Sequence, residues 1–220
     1  MVLGLAPSSL IAYWPLTETS GTQAGDVSGN ARHGTYSGVT LAQIAGPGAS
    51  MGPSPLFDGI NDVANIDVIA AAVNFSALTL SCWYRVLDAT IWTDNALRHP
   101  VNIFANGTNW LGWNKMNTPN NRIRHTHDSG GLVTEKNTDT SNTGWLHGAV
   151  VVGSNTFSAY HNGVAIGAAA AVTPIAIAAT AARIGCYSGG LFFWSGYLAH
   201  CALWSTALSA AQITTLATAR

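Results

Sequence analysis

The stretch LIAYWPLTETSGTQAGDVSGNARHGTYSG, Leu10 to Gly38, decides the fold. It opens with a short apolar strand, Leu10 to Leu16, that carries Trp14-Pro15. A Thr/Ser/Gly turn follows, then the polar loop Asp26-Val27-Ser28-Gly29-Asn30, then a second short strand from Gly34 to Tyr36. Short β-segments at regular spacing with turn signals between them argue for a sandwich or barrel.

Working outward, period-2 patterning dominates until the last dozen residues. In Leu78 to Val86, LTLSCWYRV, one face carries Leu78, Leu80, Cys82, Tyr84 and Val86, and this face should meet the core. Thr79, Ser81, Trp83 and Arg85 share the other. Further strands are expected at Val101 to Ala105, Trp110 to Asn114, Arg122 to His127 and Leu132 to Lys136. Others follow at Leu146 to Val152, Thr156 to His161, Val164 to Ala168, Ala182 to Cys186 and Gly196 to Trp204. Asn106-Gly107 and Asn162-Gly163 each separate two such runs, and Asn-Gly favours the tight type I′ hairpin. One helix is predicted: Ser209-Ala210-Ala211-Gln212 is a capping box, followed by an apolar stripe of Ile213, Leu216 and Ala217. Pro174 and its β-branched neighbours make the Ala-rich Ala165 to Ala182 stretch an extended loop or edge strand.

Composition bounds the rest. In 220 residues, 48% are apolar and only 9% charged, against about 25% charged in an average domain. A large core covered by Ser, Thr, Asn and Gly follows. The net charge of -1 and the lack of a basic cluster exclude the electrostatic footprint of a nucleic-acid binder. No apolar run approaches the roughly 18 residues that span a bilayer. The first nine residues read as an arm without the features of a secretion signal, and residues 10–220 as one domain. The three cysteines, Cys82, Cys186 and Cys201, sit among apolar neighbours and are expected as buried free thiols, as in a reducing cytosol.

Five blocks in order resemble the laminin G-like branch of the concanavalin A-like lectin/glucanase superfamily. They are YWPLTETSG with the Asp26–Asn30 loop; FDGIND, Phe57 to Asp62; LTLSCWYRV; and Gly144-Trp145-Leu146-His147 with Val150 to Val152 and the Tyr160-His161-Asn162-Gly163 hairpin. The last is Ile184-Gly185 followed by FFWSGYLAHCALWSTALSAAQI, Phe192 to Ile213. The resemblance implies an all-β, two-sheet antiparallel jelly-roll β-sandwich with one short C-terminal helix, its first and last strands side by side. It also implies a calcium ion near the opening loop, for which Asp26 and Asn30 match the place. The acidic residue that usually follows Gly-aromatic-Ile is here replaced by Ala199-His200, which leaves Asp26 and Asn30 also readable as turn-bonding residues.

Catalysis by paired carboxylates is not expected, so no residue is assigned a catalytic role. The glucanases' Glu-x-Asp-x-Glu strand is missing, and Glu135 with Asp139 reads as a solvated hairpin end. His125-Thr126-His127 places two imidazoles on one strand face, either as transition-metal ligands with a third partner or as polar residues of an exposed face. Eight tryptophans are the stronger signal. Trp14, Trp145 and Trp204 fall at positions that read as core. Trp83 and Arg85 share a sheet face, and Trp92, Trp110, Trp113 and Trp194 lie in or beside polar loops. These either stack on sugar rings, with Asn, Asp and Arg bonding hydroxyls, or plug the sandwich ends and subunit contacts.

The expected function is a non-catalytic, lectin-like binding or adhesion module. A phage virion protein on capsid or tail, made in the host cytoplasm and homo-oligomeric, fits the low charge and free thiols. A bacterial extracellular carbohydrate-binding protein is the alternative, and a glycoside hydrolase a third.

Overall fold

The computed structural model describes residues 2–106, 109–174 and 176–219. Its strands are, in chain order, β1 (Leu10–Trp14), β2 (Gln23–Ala24), β3 (Gly34–Ser37), β4 (Thr40–Ala45), β5 (Pro53–Asp58) and β6 (Val63–Asn65). Then come β7 (Leu78–Val86), β8 (Arg98–Asn106), β9 (Asn109–Lys115), β10 (Arg122–Ser129), β11 (Leu132–Asp139) and β12 (Leu146–Gly153). The last are β13 (Thr156–His161), β14 (Val164–Ala165), β15 (Ala170–Ala171), β16 (Ala181–Ile184) and β17 (Ser195–Trp204), before helix α1 (Ala210–Thr218). Two antiparallel sheets face one another. One runs β14-β13-β12-β7-β17-β5-β4, with β1 added to β17 and β15 to β13; the other runs β11-β10-β9-β8-β16-β6-β3-β2. No helix among the described residues is long and apolar enough to cross a membrane.

The alternation in β7 places its side chains as expected. Leu78, Leu80, Cys82, Tyr84 and Val86 are fully buried between the sheets, with Val101, Ile103, Leu111 and Trp113 opposite. Gly148, beside Cys82 on β12, makes room for the Trp113 indole; a Cβ there would lie 2.7 Å from its Cε2.

The other face of β7 is not open. Thr79, Ser81 and Trp83 are buried as well, because the chain ends fold over this sheet. Val2, Leu10, Trp204, Leu208, Ile213 and Leu216 form a second, smaller apolar cluster there. Each fully buried Leu or Ile stabilises by about 1.5–3 kcal/mol, enough to hold a nine-residue helix that would not persist alone. Thr79 Oγ1 ties the two layers, donating to Thr206 O at 2.7 Å and accepting the Leu208 amide at 2.9 Å. The helix opens with the expected capping box, Ser209 and Gln212 bonding each other's backbone amides. Before β1, the chain carries two short 3₁₀ turns, Val2–Gly4 and Pro7–Ser9.

The Asn162-Gly163 turn has φ of 51° and 81°, the left-handed pair a type I′ hairpin requires. The Asn106-Gly107 turn lies outside the described residues. The Val164 to Ala168 strand is shorter than expected, ending at Ala165. The thiol expectation needs correction. Cys82 and Cys201 are joined in a disulfide, their Cα atoms 4.2 Å apart on the paired strands β7 and β17, and only Cys186 remains a buried free thiol.

Candidate functional site

The site is built on the outer face of the eight-stranded sheet. In β8, Val101 and Ile103 point inward, so Asn102 and Phe104 point out; in β9, Leu111 and Trp113 point inward, so Trp110 and Gly112 point out. Register then sets a row across the sheet: Arg183 of β16, Asn102, Gly112, Thr126 of β10 and Glu135 of β11. The neighbouring row is Phe104, Trp110, Asp128 and Val133. Gly112 puts no side chain between Asn102 and Thr126.

Asn102 and Thr126 are fully buried, yet neither Asn102 Oδ1 and Nδ2 nor Thr126 Oγ1 has a protein partner. His99 Nδ1, at the start of β8, has none either. Each such group costs about 1–3 kcal/mol while unmet; others, on Trp113, His125, His127 and Trp194, lie in the core, whereas these four atoms lie beside rings that reach solvent. Around them stands a group of aromatic rings. His99 lies 5.7 Å from Trp110, 5.1 Å from Tyr187 and 6.1 Å from Phe192, and Tyr187 lies 5.8 Å from Phe104. Trp110, Tyr187 and Phe104 are half-buried and Phe192 is exposed, so the rings reach solvent.

Charges on this face are mostly paired; the exception is the Asp128 carboxylate, which adds to burial in raising the pKa of the Tyr187 phenol. Burial, with the nearby Arg124 charge, pushes His99 down to about 3, so its ring is neutral. Arg124 pairs with Glu135 at 3.0 Å and with Asn114 Oδ1 at 3.3 Å, and Arg183 with Asp67. Asp128 accepts the Gly131 amide at 2.9 Å. Neutral hydrogen-bonding atoms beside aromatic faces suit a polyhydroxylated, uncharged ligand.

Of the ring residues expected from the sequence, Trp110 alone belongs to this patch. Trp92, Trp113 and Trp194 are 1%, 0% and 0% exposed: their rings turn into the core and present no stacking face. Trp92 donates to Asn142 O at 3.1 Å, and Trp194 meets Tyr84 edge-on at 5.6 Å. Trp83 packs against His147 at 5.2 Å beneath the chain ends, and Arg85 sits half-buried over Tyr197, its neighbour on β17, in the sheet that does not carry the patch. Trp14 and Trp204 are core, but Trp145 is half-exposed, donating to Ala45 O at 3.2 Å. His125 and His127 point inward rather than out, stacking on Trp113 and Phe157. Glu135 and Asp139 are engaged by Arg124 and Arg122.

In the opening loop, both Asp26 oxygens are fully used. Oδ1 accepts the Tyr13 and Ser28 amides, and Oδ2 accepts Ser28 Oγ and the Arg32 amide, each at 2.9 Å. Asn30 turns its Nδ2 to the Leu10 and Ile11 carbonyls, and Arg32 Nη1 reaches Ile11 O at 2.6 Å. The loop is closed on itself by N–H and O–H donors. His99, Asn102, Thr126, Tyr187 and Phe192 were missed as site residues. The alternation in β8 carried the one available signal, a polar Asn between Val101 and Ile103.

Two packed antiparallel sheets closed by a capped helix, with ring and amide groups gathered on one outer face, make a lectin-like fold. A family model of the laminin G type, described as Concanavalin A-like lectin/glucanases superfamily, matches residues 58–214, and the chain belongs to that superfamily. Domain 4 of AbnA, a GH43 extracellular arabinanase from Geobacillus stearothermophilus solved with arabinotriose, superposes with TM-score 0.72 at 18% identity. The match covers 96% of this chain and 98% of that one. Trypanosoma rangeli sialidase gives TM-score 0.70 at 15% identity, and the binding domain of botulinum neurotoxin serotype D 0.70 at 11%. Each covers 96% of this chain but only 32% and 52% of theirs. No curated protein matches it in sequence.

Proposed function

We propose that the chain is a non-catalytic glycan-binding module whose ligand lies across the outer face of the eight-stranded sheet. The observation that carries this is the side chains of Asn102 and Thr126 and the Nδ1 of His99, buried and without protein partners, with Trp110, Tyr187 and Phe192 around His99. Sugar C–H faces would stack on the rings, and hydroxyls would meet the Asn102 and Thr126 atoms as the side chains that bury them in the free protein move aside. Membership of a lectin/glucanase superfamily supports the reading, as does a structurally similar domain solved with arabinotriose. The absence of catalysis is supported by the engagement of Glu135 and Asp139 in ion pairs with β10 arginines.

We place the module outside cells, or on the surface of a particle such as a phage capsid or tail. The Cys82–Cys201 disulfide favours an oxidising setting over the reducing cytosol. A glycan array with the wild-type chain and Trp110→Ala tests the binding. Selective binding that Trp110→Ala weakens by about tenfold or more is expected. Binding to no glycan, or binding indifferent to Trp110→Ala and Asn102→Ala alike, would overturn it.

A further inference from the structure

On the opposite sheet, a cavity of about 190 Å³ lies between the outer face of β7 and the two chain ends. Its floor is Tyr13, Ser81, Trp83, His147 and His200; Val2, Met51 and Leu216 close it from the arm, the β4–β5 loop and the helix. The chain makes a specific local sacrifice to place one of these groups. Between Ala199 and Ala202 the pairing of β17 with β7 is bulged, and His200 takes a left-handed φ of 51°. A bulge adds one residue to a strand and re-aims its side chain, here turning His200 to the Tyr13 side of the sheet.

The hydrogen bonds fix what the cavity offers. His200 Nε2 lies 2.9 Å from Met51 O, which can only accept, so that nitrogen carries the proton. Its Nδ1 therefore accepts from Tyr13 Oη at 2.6 Å, and the phenol oxygen keeps a lone pair for a further donor. Ser81 Oγ and His147 Nε2 are bonded at 2.8 Å, and the fully buried His147 Nδ1 has no protein partner. Burial pushes His147 down to about 3 and Tyr13 up to about 12, so both stay neutral. No described lining residue is charged. The volume suits one ring, since an apolar cavity of about 150 Å³ accepts benzene.

We infer that this cavity is a second ligand site, separate from the sheet face around Trp110, and that it takes one uncharged six-membered ring bearing hydroxyl groups. Ring hydroxyls reach Tyr13 Oη and the Ser81–His147 pair, and the ring body lies against Trp83, Met51 and Leu216. A phenol and a single pyranose share this chemistry.

A protein-observed NMR titration with phenol and with methyl glucosides and galactosides as probes, following the imidazole signals of His147 and His200, tests the assignment. At least one probe is expected to bind saturably and shift both imidazoles; which probe responds identifies the source of the ring. Leu216→Trp, which fills the cavity from the helix, and Ser81→Ala should each weaken binding by about tenfold or more. Trp110→Ala, on the other sheet, should leave it unchanged. No saturable response from either probe class overturns the inference, and so does binding that neither Leu216→Trp nor Ser81→Ala alters.

Discussion

The Asp26 carboxylate accepts the backbone amide of Tyr13 at 2.9 Å, tying the loop after β2 to the first strand of the other sheet. Three more donors, from Ser28 and Arg32, complete its shell. Burial alone would raise its pKa; these hydrogen bonds outweigh that and hold it below the usual carboxylate value. The stabilisation is thus present above the ordinary carboxylate pKa and is lost as pH falls through the lower folded value. Asp26→Asn turns an amide N–H toward a donor and should cost about 2–4 kcal/mol in denaturant unfolding. Chelating calcium should leave the melting temperature of the wild-type chain unchanged; a large fall on adding EDTA would refute an internally closed loop.

Thr126 offers a sharper separation of stability from function. Its buried hydroxyl has no protein partner, so Thr126→Val exchanges an unmet polar atom for a methyl group of the same shape. Thermal unfolding should show the variant as stable as the wild type or more so, by up to about 1 kcal/mol, while glycan affinity falls. A destabilised variant with intact affinity would contradict the role given to this side chain.

Four buried histidines make the fold acid-sensitive. Burial first of all pushes His99, His125 and His147 from 6.5 down to about 3, and His127 to about 4. Below about pH 6.5 the unfolded chain takes up protons that the folded chain refuses, so stability is full above that value and falls as pH drops toward the folded values. Each histidine contributes a slope of about 1.4 kcal/mol per pH unit in that window. His127→Phe, stacking on Phe157, should reduce proton uptake on unfolding near pH 5 by about one per molecule. A melting temperature flat from about pH 7 to 4 would be incompatible with neutral buried imidazoles.

The disulfide is checked by counting thiols. In denaturant without reductant one free thiol per chain, Cys186, should titrate; after reduction, three. Cys82→Ala with Cys201→Ala should cost about 2–4 kcal/mol, because the link closes a loop of 119 residues in sequence. Three reactive thiols before reduction would exclude the bond.

What was legible in the sequence followed from local chemistry. The alternation of β7 gave both the strand and its buried face, and Ser209-Ala210-Ala211-Gln212 gave the helix start. What failed depended on distant partners. The cover over Thr79 and Ser81 comes from residues such as Leu208, 129 positions away from Thr79. The Cys82–Cys201 bond depends on a strand pairing that spacing alone does not reveal. The tryptophans failed for a geometric reason. Trp110 and Trp113 are three apart on one strand and so point to opposite faces; one reaches the patch and the other fills the core. The site itself was half visible, in Trp110. Asn102 and Thr126 become informative only once register sets them either side of Gly112.

The pairing of β1 with β17, Leu10 opposite Trp204, has an architectural consequence. A fold whose outermost strands are neighbours can be spliced into a host loop without stretching either junction. Equally, its ends can be joined by a short linker and the chain reopened at the Asn162-Gly163 hairpin. Such a circular permutant would keep every strand neighbour except across the new break, so the module's portability lies in its first and last strands.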